Sequence, residues 1–138
     1  MFMVSEHLKI ALLTEHIPIN EIISTITPDL IKKRIEIIHN SLLKDFDVQK
    51  PKIAVLSINP HIGDNGVIGT HDNDILIPTI SKISKNGIDV NGPFSSDSFF
   101  GSNDYKKYDA IVATYHDQGL IPFKTCLLYT SDAADDTP

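Results

Sequence analysis

Three short apolar runs constrain this chain most. Residues 8–14 (LKIALLT), 52–58 (KIAVLSI) and 109–115 (DAIVATY) are rich in Ile, Val, Ala and Leu, and each has a charged residue near its start. Continuous apolarity without in-and-out alternation is what a strand covered on both faces requires. Between the first two runs Thr27 is placed to cap a helix with Pro28 at its first position, and Ile31, Ile35, Ile38, Leu42 and Phe46 follow at helical spacing. A second helix is predicted from Thr70, burying Ile75, Leu76, Ile80 and Ile83 and ending at Asn86 and Gly87, with Pro78 disturbing its first turns. The stretch VNGPFSSDSFF, residues 90–100, reads as a turn-rich connection. With neither an internal repeat nor a low-complexity linker, strands alternating with helices predict one α/β domain with a largely parallel sheet and flanking helices.

Composition narrows the partners. A length of 138 residues allows at most one domain, and a net charge of −6 argues against nucleic acid or an anionic membrane as the main partner. A small anionic ligand remains compatible. The apolar runs are only a few residues long, and MFMVSEHLKI lacks a basic region followed by a signal-peptide core, so a cytoplasmic protein is expected. The single cysteine, Cys126, forms no internal disulfide, which agrees with a reducing compartment.

The three runs share a second property. KIALLTEH ends in His16, KIAVLSINPH in His61 and DAIVATYH in His116, each just past an apolar strand. If the strands are parallel, their carboxyl ends share one edge of the sheet, where open α/β folds bind ligands. A histidine in one loop is ordinarily a surface group. Three at equivalent strand ends point to a shared site, and three neutral imidazoles with an open position are a usual catalytic arrangement for a divalent metal. Imidazoles by themselves suit zinc, cobalt, nickel and iron alike. The other histidines lack the pattern, and His7, His39 and His71 read as surface residues.

Two adjoining stretches add chemistry. NPHIGDNGVIGTHD places Gly63, Gly66 and Gly69 between a strand and a helix, where backbone can approach an anion, although such glycines usually only turn the chain. HDQGLIPFK sets Asp117 beside one proposed ligand and Lys124 a few residues beyond, where it is either a solvated lysine or a partner for a phosphate or carboxylate. Asp97 and Asp117 are candidates for proton transfer or for orienting a ligand. The structural alternatives are a turn cap for Asp97 and support of His116 by Asp117.

The segments TEHIP, NPHIGDNGVIGTHD, VNGPFSSDSFF and YHDQGLIPFK together resemble the 4-hydroxythreonine-4-phosphate dehydrogenase family of pyridoxal phosphate biosynthesis, from about Leu8 to Lys124. The intervals of 45 residues from His16 to His61 and 55 from His61 to His116 match the family's ligand spacing. The resemblance implies a fold like the isocitrate and isopropylmalate dehydrogenases. It further implies that His16, His61 and His116 bind a catalytic divalent ion (zinc, magnesium or cobalt), that Lys124 contacts substrate, and that the site lies at a homodimer interface. The implied reaction is NAD-dependent oxidation of 4-phosphooxy-L-threonine, with decarboxylation to 3-amino-2-oxopropyl phosphate. No residue is assigned to NAD.

The departures are equally specific. The amino-terminal part of the family with its GHT-type stretch, the asparagine and arginine that follow the lysine, and the HGTA-type adenosine-binding stretch are absent from the sequence. The resemblance stops after Thr125, and CLLYTSDAADD, beginning at Cys126, looks like a translated sequencing-library adapter. Residues 1–125 are therefore expected to be a partial metal- and substrate-binding dehydrogenase domain and 126–138 a poorly packed, non-native tail. The segment alone is expected to be inactive. The alternatives are a 4-phosphoerythronate dehydrogenase paralogue, a metal-binding domain without turnover, and a metal-dependent hydrolase indifferent to NAD.

Overall fold

The computed structural model describes the backbone of residues 1–135 and the side chains of residues 1–126. Strands β1 (Phe2–Val4), β2 (Lys9–Leu12), β3 (Lys52–Leu56), β4 (Asp89–Phe94) and β5 (Ala110–Ala113) form one sheet in the order β1-β2-β5-β3-β4. β1 is antiparallel to β2, and every other pairing is parallel. The expected α/β class with a largely parallel sheet is therefore what the chain forms.

The connecting helices are α1 (Ile22–Thr25), α2 (Pro28–Lys44), α3 (Ile77–Lys85), α4 (Ser96–Gly101) and α5 (His116–Asp135). Alternate strand residues face opposite ways, so the sheet carries a core on each side. On one side Ala11, Leu13, Ile53, Val55 and Val112 pack under α2 and α3; on the other Ile10, Leu12, Ala54, Leu56 and Ile111 pack under α4 and α5. This two-sided burial is why the three runs are apolar throughout.

α2 starts where the sequence predicts. Thr27 Oγ1 accepts the Leu30 N–H at 3.2 Å, Pro28 occupies the first helical position, and Ile31, Ile35, Ile38 and Leu42 are buried. The helix ends at Lys44, before Phe46, whose ring still packs edge-on against Phe2 at 5.9 Å. The second predicted helix divides into a π turn at Asp72–Leu76 and then α3. Pro78 has no N–H to extend an α ladder, so the register changes where a rung is missing anyway.

The amino terminus forms β1. Two expectations need correction. VNGPF is not a turn-rich connection but most of β4, with Gly92 and Pro93 inside it. β4 is an edge strand, the one sheet position that tolerates a residue without a backbone donor, and Gly92 is needed because a Cβ there would lie 2.5 Å from the Val55 carbonyl oxygen. His71 is half-buried, and its Nε2 lies 2.9 Å from the Ile26 carbonyl oxygen, so it ties the π turn to the end of α1 and is no ordinary surface residue. Cys126, the first residue of the expected tail, is half-buried beside the second core, following Leu120 and Phe123 on the buried face of α5. The side chains of 127–138, on which the rest of that expectation falls, lie outside the described residues.

Candidate active site

Because β2, β3 and β5 are parallel, their carboxyl ends share one edge, and His16, His61 and His116 all follow those ends. The His16 and His116 rings stand 5.3 Å apart between centroids and line one cavity of about 330 Å³ together with Glu15, Tyr115 and Asp117. That separation lets two imidazoles share an ion. His61 is on the same edge but not with them. Among the described residues no group of three His, Cys, Asp or Glu side chains is close enough to hold a metal ion.

Each histidine is positioned differently. His116 opens α5, and its Nδ1 lies 2.9 Å from Asp117 Oδ1. When Nδ1 carries the proton and donates it to that carboxylate, the Nε2 lone pair is left for a metal. Asp117 is itself well exposed and has the orienting geometry anticipated as one of its two roles.

His61 sits in an unusual backbone. His61 and Ile62 have φ of 52° and 57°, in the left-handed region, followed by Gly63 at 80°, Asp64 at 46° and Asn65 at 55°. A β-branched residue there is a genuine outlier, and such positions cost about 1–3 kcal/mol each. The surroundings enforce it. The Gly63 carbonyl accepts N–H bonds from Gly66 at 2.9 Å and Ile68 at 2.8 Å, and a Cβ on Gly63 would stand 2.4 Å from the Gly69 carbonyl oxygen. A Cβ on Gly69 would meet Asn59 Nδ2 at 2.7 Å. These two glycines therefore allow the loop to close on itself, a role different from the anion approach suggested by their spacing.

The fully buried Asp72 anchors the loop. Its carboxylate accepts the Ile58 N–H at 2.8 Å, the Asn59 N–H at 3.0 Å and the Asn59 side-chain amide at 3.3 Å. Gln118 does similar work across strands. Its Oε1 accepts from the Thr114 N–H at 2.7 Å and Thr114 Oγ1 at 2.8 Å, while its Nε2 donates to the Ser57 carbonyl at 2.7 Å. The sequence reading missed both residues. A polar residue shortly after a glycine-rich turn, or in the first turn of a helix, was the available signal, but it does not reveal which backbone the side chain reaches, 13 and 14 positions back for Asp72 and 61 for Gln118.

A second, larger cavity of about 660 Å³ adjoins the first, since Tyr115 and Asp117 line both. Asp97 and Ser96 enter it from α4, and Phe100, Tyr105 and Ile121 supply apolar wall. Asp97 is exposed and its carboxyl is held below the usual range, chiefly by the hydrogen bond from Ser95 Oγ at 2.8 Å, then by the Ser98 backbone N–H and, more weakly, by the nearby charge of His61. Asp97 is thus ionised over a wide pH range. Lys124 is exposed further along α5 and is not among the residues lining either cavity.

The family described as pyridoxal phosphate biosynthetic protein PdxA matches residues 1–132. The chain belongs to that family. It is 45% identical over 124 residues to the 4-hydroxythreonine-4-phosphate dehydrogenase of Bacteroides thetaiotaomicron, covering 90% of this chain and 34% of the relative. The enzyme of the same name from a Sulfurihydrogenibium species is 42% identical, with 38% of its length covered. Among solved structures, the 4-hydroxythreonine-4-phosphate dehydrogenase of Burkholderia phymatum superposes with a TM-score of 0.83 at 35% identity, covering 91% of this chain and 38% of that one. This PdxA-family chain therefore spans just over a third of the length of the curated relatives it matches. Its fold is that of the family's dehydrogenases, like isocitrate dehydrogenase. No helix among the described residues is long and apolar enough to cross a membrane.

Proposed function

We propose that the full-length protein carrying this segment is a cytoplasmic 4-hydroxythreonine-4-phosphate dehydrogenase. It oxidises the secondary alcohol of 4-phosphooxy-L-threonine with NAD, and the resulting 3-keto acid loses carbon dioxide to give 3-amino-2-oxopropyl phosphate. The observation that carries this reading is the pairing of His16 with His116 at the carboxyl edge, beside a cavity into which two carboxylates enter.

The donor set suits a divalent ion such as zinc or cobalt: two adjacent imidazoles, one fixed by a carboxylate on its other nitrogen, are typical of such sites. His16, His116 and His61 would hold it. In this reading a second copy supplies the third ligand, so that the site lies at a homodimer interface. A divalent ion supplies polarisation of the substrate oxygen. The chain's own residues do the rest. Asp117 keeps His116 in its tautomer, and Asp97, held ionised by Ser95, would accept the hydroxyl proton of the alcohol, for which NAD, when bound, would supply the hydride acceptor. On decarboxylation the electron pair of the departing carboxylate is taken up by the adjacent ketone, and a proton from solvent completes the product. Lys124 meets the substrate phosphate once the remaining segments of the enzyme enclose it.

The test is NADH formation by the full-length protein with metal, after chelation, and after metal is returned, using 4-phosphooxy-L-threonine and 4-phosphoerythronate in parallel. His61→Ala should abolish turnover and leave folding and most NAD binding intact. Undiminished turnover after chelation or in the variant refutes the metal mechanism. Preference for phosphoerythronate would move the protein to the neighbouring subfamily.

A further inference from the structure

Among the described residues few polar side chains are buried, and apart from Thr79 in α3 they are not scattered. Thr14, Ser57, Asp72 and Thr114 are each 3% exposed or less. All of them lie at the carboxyl edge, and they are joined. Thr14 Oγ1 donates to the Thr114 carbonyl at 2.8 Å, Thr114 donates to Gln118 Oε1, Gln118 Nε2 donates to the Ser57 carbonyl, Ser57 Oγ donates to the Asn59 carbonyl at 2.9 Å, and Asn59 donates to Asp72. This single hydrogen-bonded chain runs from the end of β2, across β5, to the end of β3. Each histidine follows one of its members by two residues: Thr14 precedes His16, Asn59 precedes His61, and Thr114 precedes His116.

We infer that this hydrogen-bonded chain, with Gln118 as its only side-chain bridge between the β5 and β3 ends among the described residues, sets the three histidine-bearing loops in one geometry, so that Gln118 and Asp72 are positioning residues for the metal site. The physical reason is dielectric. Thr14, Ser57, Asp72 and Thr114 lie away from water, where the alternative to each bond is an unsatisfied polar group, and the half-buried Asn59 and Gln118 join them, so the bonds hold their geometry and a displacement at one strand end is resisted at the next. The left-handed backbone at His61 needs such support, because it would otherwise relax. The inference deepens the proposed metal site and rests on it for its purpose. The mechanical coupling stands independently.

The test uses the 138-residue chain and reads local opening by amide hydrogen exchange. Gln118→Ala should speed exchange about tenfold or more in residues 57–68, which are remote in sequence, with no matching rise in α2. Gln118→Glu is the sharper variant: a carboxylate still accepts from Thr114 but cannot donate to the Ser57 carbonyl. It should loosen residues 57–68 while leaving Thr114 protected. Thr79→Ala removes a buried hydroxyl that bonds only within its own helix, to the Ile75 carbonyl at 2.7 Å, and should leave the loop unchanged. Zinc affinity of the full-length protein, followed in parallel, should fall about 10-fold in Gln118→Glu and Asp72→Asn and not in Thr79→Ala, in line with other residues that support metal ligands. Exchange that rises uniformly, or only around Thr114, overturns the coupling. If exchange follows the expected pattern while the full-length protein and its variants take up no zinc, the coupling holds and the metal-site reading is what fails.

Discussion

Gly119 lies in the first turns of α5, where the helix approaches the sheet most closely. A Cβ there would stand 2.8 Å from Leu12 Cδ2, 2.9 Å from the Ala113 Cβ and 2.9 Å from Ile10 Cγ2. All three belong to fully buried strand residues with nowhere to move. Favourable carbon–carbon contact needs about 3.5–4.0 Å, so Gly119→Ala requires the helix to lift by the better part of an ångström. Overpacking of this kind costs about 1–3 kcal/mol. Against it stands the better helix propensity of alanine, worth about 1 kcal/mol. Three simultaneous contacts under 3.0 Å put the cost in the upper half of that range, so the net expectation is a loss of roughly 1–2 kcal/mol. For a chain of this size that is a drop of about 3–8 °C in Tm, with the urea midpoint falling and the slope unchanged. The internal control is Gly101→Ala: Gly101 ends α4 at an ordinary φ with nothing within 4 Å of its would-be Cβ, and the same change there should be neutral or slightly stabilising. Circular dichroism through thermal and urea unfolding reads both. If Gly119→Ala is as stable as the parent, or shifts in the same direction as Gly101→Ala, the close seating of α5, and with it the placement of His116 and Gln118, is wrong.

Ser95→Ala removes the main bond holding the Asp97 carboxyl below its usual range, so that carboxyl should titrate at higher pH, short of a full return because the Ser98 N–H remains; a carbon-13 carboxyl titration by NMR checks it. The sign follows from a depressed folded value: Asp97 favours the folded state above the ordinary carboxylate range, and that contribution fades as pH falls through the folded value. Thr27→Ala removes the cap of α2 and should cost about 1 kcal/mol in urea unfolding, with Thr27→Ser recovering most of it. No change on Thr27→Ala would mean that α2 is held by its buried face alone.

Much of the architecture was legible because it rests on local rules. The three apolar runs became β2, β3 and β5 because strands covered on both faces need apolar residues at every position, and that shows in sequence without reference to a partner. The start of α2 was legible for the same reason, since capping involves residues three apart. β4 was not. Gly92 and Pro93 read as a turn until the sheet order places that strand at an edge and puts Gly92 against the Val55 carbonyl. α5 was hidden by Gly119 and Pro122, both poor helix formers, and it forms because its buried face at Leu120, Phe123 and Cys126 meets the second core.

The candidate site divides along the same line. By itself the sequence determined that three histidines follow three strands, that a carboxylate neighbours one of them, and which family the motifs resemble. Covalent order and strand periodicity are enough for that. Only the tertiary structure decided that His16 meets His116 while His61 stands apart, that His61 has a left-handed backbone, and that Asp72 and Gln118 reach the loops they support. Gln118 and Ser57 are 61 residues apart in the chain, and what brings them together is the insertion of β5 between β2 and β3. A sequence records each residue's capacity for a hydrogen bond, but the partner is fixed by the order of strands, which depends on how all the apolar surfaces pack at once.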